Sequence, residues 1–287
     1  MKTTRFLSAA IFALAITFTF SCSGNDYNNG GGGSGGNKIN NLCNGDKGND
    51  IANYRIVQIG EQWWMAENLN YKVAGSKCYG EGAPVMVPVP PTFFDTLSNA
   101  ELEANNAKYG RLYSWATAMA LPDSCNRTYC YLPLSAKHRG ICPSGWHIPS
   151  REDWIDLVKF ISPDCSISYS SRGDIKCADS GTKLKAESGW NNSVFGGTGN
   201  GTDDYEFSAL GGGYYEPVFN FDFPYFGGLG DGIRWWSDMG MTSEDSSRDT
   251  IVNYMSALTM GVNATYDFAA FGLSRRNFLH GVRCIKD

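Results

Sequence analysis

The sequence is poor in histidine and in charged residues. It has 3 His among 287 residues, its charged side chains amount to 18%, and its formal net charge is −5. No run of basic residues is longer than the pair Arg275-Arg276, whereas a nucleic-acid partner needs a concentrated basic patch. The chain also lacks the Cys-x-x-Cys spacing of many zinc sites. We therefore expect neither nucleic acid nor zinc as a partner.

Catalytic motifs are missing as well. The sequence contains no Gly-x-Ser-x-Gly and no His-Glu-x-x-His, and its histidines, His138, His147 and His280, lie outside recognisable nucleophile motifs. For His147, in the predicted turn 142–150, packing or a backbone hydrogen bond is the simpler explanation. We expect no enzymatic activity.

The longest apolar run lies at the N-terminus and is too short to cross a bilayer. Lys2 and Arg5 precede the apolar segment 6–20, whose length of about 15 residues falls below the ~20 that a membrane-spanning helix needs. These features predict a signal peptide over 1–21. Cys22 follows Ser21 directly, as in bacterial lipoproteins, so we expect Cys22 to carry lipid. An ordinary cleaved signal peptide is the alternative.

Residues 22–41 have the composition of a flexible tether. The segment is mainly Gly, Asn and Ser, and it has too few apolar side chains to offset the entropy of ordering. We therefore expect an exported protein that the lipid on Cys22 anchors to the cell envelope, at the outer membrane. Residues 42–287 form its single folded domain.

The cysteine content agrees with export. The chain has 9 Cys, and an even set of eight remains once Cys22 is set aside, which in an exported protein indicates disulfides. Short separations suggest Cys125–Cys130 and Cys165–Cys177 as local bridges. Longer bridges are left for Cys43, Cys78, Cys142 and Cys284.

The residue pattern predicts two helices. At the start of 150–161, Ser150 and Asp153 form a capping box, and apolar residues at helical spacing follow them. The second helix covers 107–121 and ends before Pro122.

Strands are predicted on both sides of these helices. Segments 54–60 and 61–67 form a hairpin with its turn at Gly60. Three more strands are predicted at 251–260, 262–268 and 278–285. Segment 189–236 is so rich in glycine that we expect loops and short strands there. This order of elements predicts an α+β domain.

Seven short strings follow one another along the predicted domain. They are Gln-Trp-Trp-Met-Ala-Glu-Asn-Leu-Asn-Tyr at 62–71, Tyr-Gly-Arg-Leu-Tyr-Ser-Trp at 109–115, Cys-Pro-Ser-Gly-Trp-His-Ile-Pro-Ser at 142–150, Gly-Thr-Lys-Leu-Lys at 181–185, Gly-Thr-Asp-Asp-Tyr at 201–205, Trp-Trp-Ser at 235–237 and Val-Arg-Cys-Ile-Lys-Asp at 282–287. In this order they resemble the Fibrobacter succinogenes major paralogous domain family. The resemblance implies a surface or periplasmic module, often on lipoproteins. It also implies a C-type-lectin-like fold with two main helices, short antiparallel strands and long loops rich in glycine and aromatic residues. It implies no settled activity.

The resemblance also bears on the longer disulfides. Many members have a cysteine shortly before the 109–115 string, where this chain has none, so Cys78 needs another partner and Cys43 is expected. Bridges between the first helix region and the last strand are frequent in such folds, which implies Cys142–Cys284. The stretch 83–99, with its prolines, resembles an insertion.

A dense aromatic segment offers a candidate ligand face. Its members are Tyr214, Tyr215, Phe219, Phe221, Tyr225 and Phe226. Rings give a large contact area for sugars or proteins, and tyrosine adds a polar group. The alternative is that the rings pack the segment onto the domain.

Acidic residues suggest a second, weaker candidate. Asp203 and Asp204 lie in a glycine-flanked turn and offer the oxygen ligands that Ca²⁺ prefers, although turn formation explains them equally well. Together with Glu206 they are also the densest carboxylate cluster, as a glycan hydrolase would need.

These patterns favour a non-catalytic, lipid-anchored module that binds carbohydrate or protein ligands. A structural or adhesive envelope protein without a small ligand is one alternative, and an extracytoplasmic glycan hydrolase is the other.

Overall fold

The computed structural model describes residues 43, 45–87, 94–128, 130, 137–165, 177–218, 222–240 and 255–287. All of them belong to one compact unit, residues 40–287. The described part is a mixed α+β structure with few helices and many strands, as predicted. In these ranges no helix combines the length and apolarity that crossing a membrane requires.

The helices are short, and two of them have eleven residues. The helices are α1 (Asn99–Tyr109), α2 (Trp115–Ala118), α3 (Arg151–Ile161) and α4 (Ser180–Leu184). The strands of the first half are β1 (Ile56–Ile59), β2 (Gln62–Met65), β3 (Lys77–Cys78), β4 (Val85–Met86), β5 (Phe94–Asp95), β6 (Arg111–Leu112) and β7 (Trp146–His147). Those of the second half are β8 (Gly212–Glu216), β9 (Tyr225–Leu229), β10 (Gly232–Gly240), β11 (Ser256–Asn263), β12 (Ala270–Arg275) and β13 (Ile285–Lys286).

A four-stranded sheet joins the two ends of the described domain, in the order β1-β2-β13-β7. The β1-β2 hairpin turns at Gly60, whose φ of 60° is a conformation that glycine adopts without steric cost. The predicted hairpin is therefore confirmed. Ile285 of β13 pairs with Trp64 on one side and with His147 on the other.

A seven-stranded sheet forms the other half, in the order β12-β11-β10-β8-β9-β4-β5. Two of its strands, β8 and β9, lie in segment 189–236 with five residues each, and the nine-residue β10 begins there and runs on to Gly240. The expectation of loops and short strands there is confirmed for β8 and β9, and only β10 is longer than expected. The glycines serve close packing: a Cβ on Gly213 would lie 2.5 Å from the carbonyl oxygen of Gly227 on the neighbouring strand.

Tryptophan rings fill the space between α3 and the sheets. Trp64 and Trp154 have ring centroids 4.6 Å apart, and Trp154 stacks on Trp235 at 5.8 Å. All three are fully buried. The guanidinium of Arg283 is also buried here, 4.1 Å from the ring centroid of Phe207, and it donates hydrogen bonds to the carbonyl oxygen of Phe207 and to Asn68 Oδ1. Three of the strings that suggested the family, at 62–71, 235–237 and 282–287, therefore supply core packing.

The helix predicted at 107–121 was partly wrong, because that range holds the end of α1, the strand β6 and the short helix α2, whereas the helix predicted at 150–161 was confirmed with its capping box. Gly110, with φ of 73°, ends α1, and the next two residues pair with β3. Helix α1 begins instead at Asn99, and the capping box of Ser98 with Glu101 before it was the missed sequence signal. The end of α1, the strand β6 and the helix α2 follow one another in this range. Each of them turns apolar side chains inward, so together they resemble the spacing of one helix.

The C-terminal strands also differ from the prediction. We expected a break between 260 and 262, but Gly261 lies inside β11 and pairs with Arg234 of β10. The strand expected at 262–268 gives way to a turn followed by β12, and 251–254 lie outside the described residues. A glycine in a strand can mark a close approach of the neighbouring strand as well as the end of the strand. Gly261 marks a close approach.

Four disulfides brace the domain, and their predicted pairings are confirmed. They are Cys43–Cys78, Cys125–Cys130, Cys142–Cys284 and Cys165–Cys177. The bridge between Cys142 and Cys284 closes the longest loop, and both residues are fully buried. It ties the turn before β7 to the chain just before β13.

Candidate functional site

A groove of about 230 Å³ lies on the seven-stranded sheet, between β8 and β9 on one side and β10, β11 and β12 on the other. Part of its lining is glycine, namely Gly213, Gly228, Gly232 and Gly261. Its polar lining residues are Tyr214, Asp231, Arg234 and Asn263. Lining residues without side chains leave room above the sheet, so polar groups can be reached by a ligand that lies flat.

Arg234 is exposed and lies across the sheet. A Cβ on Gly272 would stand 2.3 Å from Arg234 Nη1, and one on Gly261 would stand 3.0 Å from Arg234 Cγ. Neither glycine has a positive φ, so backbone conformation does not require glycine at these two positions. The space that the missing side chains leave is the reason for glycine there. Nη1 lies 3.4 Å from Thr259 Oγ1. The two glycines thus form a trough that holds the guanidinium over β11 and β12.

The other end of the groove is polar but not cationic. Asp231 is exposed, and its Oδ1 accepts a hydrogen bond of 2.8 Å from Asn191 Nδ2. Asn263 Oδ1 accepts the backbone N–H groups of Thr265 and Tyr266, both at 2.9 Å. These contacts fix both side chains by their neighbouring turns. Carboxylate and amide groups held in this way are suited to hydrogen bonding with hydroxyl groups.

Two exposed rings belong to the turns next to Asn263, whose Oδ1 accepts the N–H of Tyr266. Phe195 is 78% exposed and Tyr266 is 45% exposed, and their ring centroids lie 6.2 Å apart. Tyr266 also stacks on Phe268 at 5.1 Å. Rings left in solvent beside a polar groove have a free face for a ligand.

The predicted aromatic face is divided by the structure. Tyr214 lines the groove, whereas Phe219 and Phe221 lie outside the described residues. The ligand-facing role does not fit Tyr225 and Phe226, which are 3% and 0% exposed.

Strand packing explains this correction. The ring centroid of Tyr225 lies 5.6 Å from that of Phe94, and the ring of Phe226 lies against Tyr79 at 5.2 Å and Tyr215 at 4.9 Å. Tyr215, half-buried, belongs to the same cluster. For these rings the packing alternative is the correct one, since they hold β8 and β9 to β4 and β5.

The acidic candidates Asp203, Asp204 and Glu206 lie in a tight turn. Asp203 has φ of 50°, and its two carboxylate oxygens accept hydrogen bonds from the N–H and the hydroxyl of Ser208, at 2.6 and 2.7 Å. In the described ranges, a convergent set of three potential metal ligands occurs at Cys43, Cys78 and Glu81 and not at this turn. Since those two cysteines form a disulfide, that set offers no thiolate.

Ser274 and His280 resemble a nucleophile and its base, with Oγ and Nε2 2.6 Å apart. Both are buried, and burial lowers the pKa of His280 to about 3, so the imidazole is neutral. Its Nδ1 has no hydrogen-bond partner among the described residues, whereas a catalytic histidine needs an orienting group there. The ring packs against Trp236 at 4.7 Å. The geometry is that of a core hydrogen bond.

His147 lies between two carboxylates. Its Nδ1 is 2.8 Å from Asp287 Oδ1, and its Nε2 is 3.3 Å from Asp153 Oδ2. Burial alone would raise the pKa of Asp153, yet hydrogen bonds from His147 and Ser150 bring it below its ordinary value. Burial, with the negative charge of Asp153 nearby, raises the pKa of Asp238 to about 6. This cluster fastens the start of α3 to β7 and to the chain after β13.

The sequence pattern missed Arg234 and Asn263. The available signal for Arg234 was its position between Ile233 and Trp235, since a charge between two apolar residues of a strand points to the opposite face. Asn263 had no comparable signal, because it joins the groove only through the pairing of β11 with Gly232 of β10.

Comparison with known proteins identifies the family. The family model described as the Fibrobacter succinogenes major domain matches residues 57–286. Neither the curated proteins nor the solved structures include a match to this chain. The matched range contains α3, the groove and, apart from Ile56 of β1, the four-stranded and seven-stranded sheets. The chain belongs to the Fibrobacter succinogenes major domain family.

Proposed function

We propose that this protein is a carbohydrate-binding module and that the groove on the seven-stranded sheet is its ligand site. The observation that carries the proposal is the groove itself. It combines a glycine-lined floor with the side chains of Asp231, Arg234 and Asn263. Asn263 in turn contacts the backbone of Tyr266, whose exposed ring lies 6.2 Å from that of Phe195. Sugars present hydroxyl groups at their edges and apolar C–H groups on their faces, so they fit such a surface.

The groove favours binding over hydrolysis. Glycoside hydrolysis generally uses two carboxyl groups on opposite sides of the scissile bond. Among the groove's described lining residues, Asp231 is the only one with a carboxyl group. The hydrolase alternative would have to use Asp203, Asp204 and Glu206, and both oxygens of Asp203 are already engaged by Ser208.

The test is a glycan screen on the purified full chain, run with calcium and with a chelator. We expect at least one polysaccharide to bind. We expect Tyr214→Ala and Phe195→Ala to weaken that binding by about 2- to 10-fold each, because each removes a ring contact worth roughly 0.5–1.5 kcal/mol. Loss of binding in chelator would favour the calcium site at Asp203 and Asp204.

The matched control is Phe160→Ala, which removes another exposed ring, on α3 and outside the groove lining. We expect it to leave glycan affinity unchanged. Equal losses in all three variants would contradict the placement of the site. Absence of binding to every glycan would reject the carbohydrate proposal.

The proposal also covers location and fold class. We propose that residues 1–21 direct export, that lipid on Cys22 anchors the protein to the outer membrane and that residues 22–41 are its tether. Labelling of cells with a radioactive fatty acid tests this: the protein is expected to carry the label and the Cys22→Ser variant to lack it, and an unlabelled parent protein would contradict lipidation. We further propose a C-type-lectin-like fold, in support of which the bridge Cys142–Cys284 has the position expected from that resemblance.

A protein ligand is the second candidate. It is favoured by the exposed turn at Val194 and Phe195, whose side chains are 80% and 78% exposed. Adjacent exposed apolar side chains are typical of protein contacts. The structural or adhesive alternative would also use this turn. A glycan-negative result combined with self-association that Phe195→Ala abolishes would favour it.

A further inference from the structure

We propose that the groove selects glycans that carry carboxylate groups, such as chains of uronic acids, and that Arg234 binds the carboxylate. This inference rests on the proposed function, because it assigns a ligand class to the same groove.

The first observation is the freedom of the charge. In the described ranges, no carboxylate lies within ion-pair distance of Arg234, whereas the buried Arg111 is paired with Glu81 at 2.9 Å. Arg234 is exposed, and its recorded polar contact, with Thr259, is long at 3.4 Å. The planar guanidinium therefore keeps donors for a ligand, and its fork matches the two oxygens of a carboxylate.

The second observation is the shape of the sheet beneath it. Arg234, Gly261 and Gly272 lie on three adjacent strands. At both glycine positions a Cβ would be in close contact with the arginine side chain. Glycine in a strand interior lowers stability, so two of them at these places indicate a site whose geometry matters more than strand stability. The trough confines the arginine side chain and so reduces the entropy lost on binding.

The third observation is the separation of charges along the groove. Gly261 stands opposite Arg234, whereas Asn263 stands opposite Gly232, next to Asp231. Arg234 Nη1 lies beside Gly272 of β12, whereas Asp231 belongs to the turn between β9 and β10. A uronic acid offers a carboxylate at one position of the ring and hydroxyl groups at others, so it can satisfy both ends. A neutral sugar leaves the guanidinium without a counter-charge.

The test uses trigalacturonate and its methyl ester as a matched pair of ligands, with the purified full chain. The ester keeps the shape of the ligand and removes its charge. We expect the acid to bind at least about tenfold more tightly than the ester, since hydrogen bonds between charged groups are about twice as strong as neutral ones. We expect the difference to shrink as salt is raised, because exposed charges are screened.

Three variants assign the preference to Arg234. Arg234→Gln is expected to abolish the tenfold preference, and Arg234→Lys to retain only part of it, because lysine keeps the charge but loses the fork. Gly272→Ala is expected to weaken binding of the acid severalfold, because its Cβ displaces the guanidinium. Arg127→Gln is the control, since Arg127 is exposed and lies outside the groove lining.

The outcomes separate this inference from the proposed function. The role of Arg234 would be overturned if acid and ester bound with equal affinity, or if the preference for the acid survived in Arg234→Gln. The carbohydrate proposal would stand in either case. Failure of both ligands, together with a glycan screen negative for neutral sugars, would overturn both proposals. Thermal melting of each variant shows whether a loss of binding reflects unfolding.

Discussion

Removing the bridge between Cys142 and Cys284 is expected to lower the free energy of unfolding by about 5 kcal/mol. The two residues are separated by 142 positions, and loop-closure entropy in the unfolded chain grows with the length of the closed loop. Since typical domains are stable by about 5–15 kcal/mol, the double variant Cys142→Ala/Cys284→Ala approaches the limit of folding. Urea unfolding of oxidised protein measures the effect.

The bridge between Cys125 and Cys130 provides the control. Its cysteines are only 5 positions apart, so the same relation gives a loss of about 2 kcal/mol for the variant Cys125→Ala/Cys130→Ala. If the two double variants lost equal stability, loop length would not be the reason for the stabilisation. If Cys142→Ala/Cys284→Ala had the same free energy of unfolding as the parent protein, the bridge would be dispensable to the four-stranded sheet.

Replacing Trp64 with alanine is expected to destabilise the domain by about 3–5 kcal/mol. The side chain is fully buried, and its ring contacts Trp154 at 4.6 Å and Phe207 at 6.0 Å between centroids. Its Nε1–H donates to Gln62 Oε1 at 3.1 Å. Removing it leaves a cavity where β2 meets α3, and the surrounding rings cannot collapse into it without losing their own packing. Chemical unfolding measures the loss.

The preceding residue is the matched control. Trp63 lies on the same strand but points to the other face, where it is 37% exposed and has Lys286 Nζ at 5.9 Å from its ring. We expect Trp63→Ala to cost less than about 1 kcal/mol. Similar losses for both variants would mean that β2 is not buried on one face only.

The elements predicted well are those with signals in neighbouring residues. The hairpin around Gly60 needs only a turn residue between two apolar segments, and α3 needs only Ser150 and Asp153 followed by apolar residues at helical spacing. Short separations likewise suggested Cys125–Cys130. Long-range pairings, such as Cys142–Cys284, came from resemblance to the family and not from local pattern.

The groove was hidden from the sequence because its parts come from separate strands. Arg234 gains its trough only when β10, β11 and β12 pair in the observed register, which places Gly261 and Gly272 beside it. A slip of one residue would turn Arg234 or the glycines to the other face of the sheet. Glycine at 261 therefore looked like a strand break although it serves close approach.

The sequence by itself determined the α+β class, the disulfide set and the family, because composition, cysteine number and ordered motifs are properties of the chain. Only the tertiary structure decided which aromatic residues are available to a ligand. Tyr214 lines the groove while Tyr225 is buried, although both stand in one aromatic segment. The physical reason is that a strand alternates its side chains locally, but the face that is covered depends on strands from distant parts of the chain.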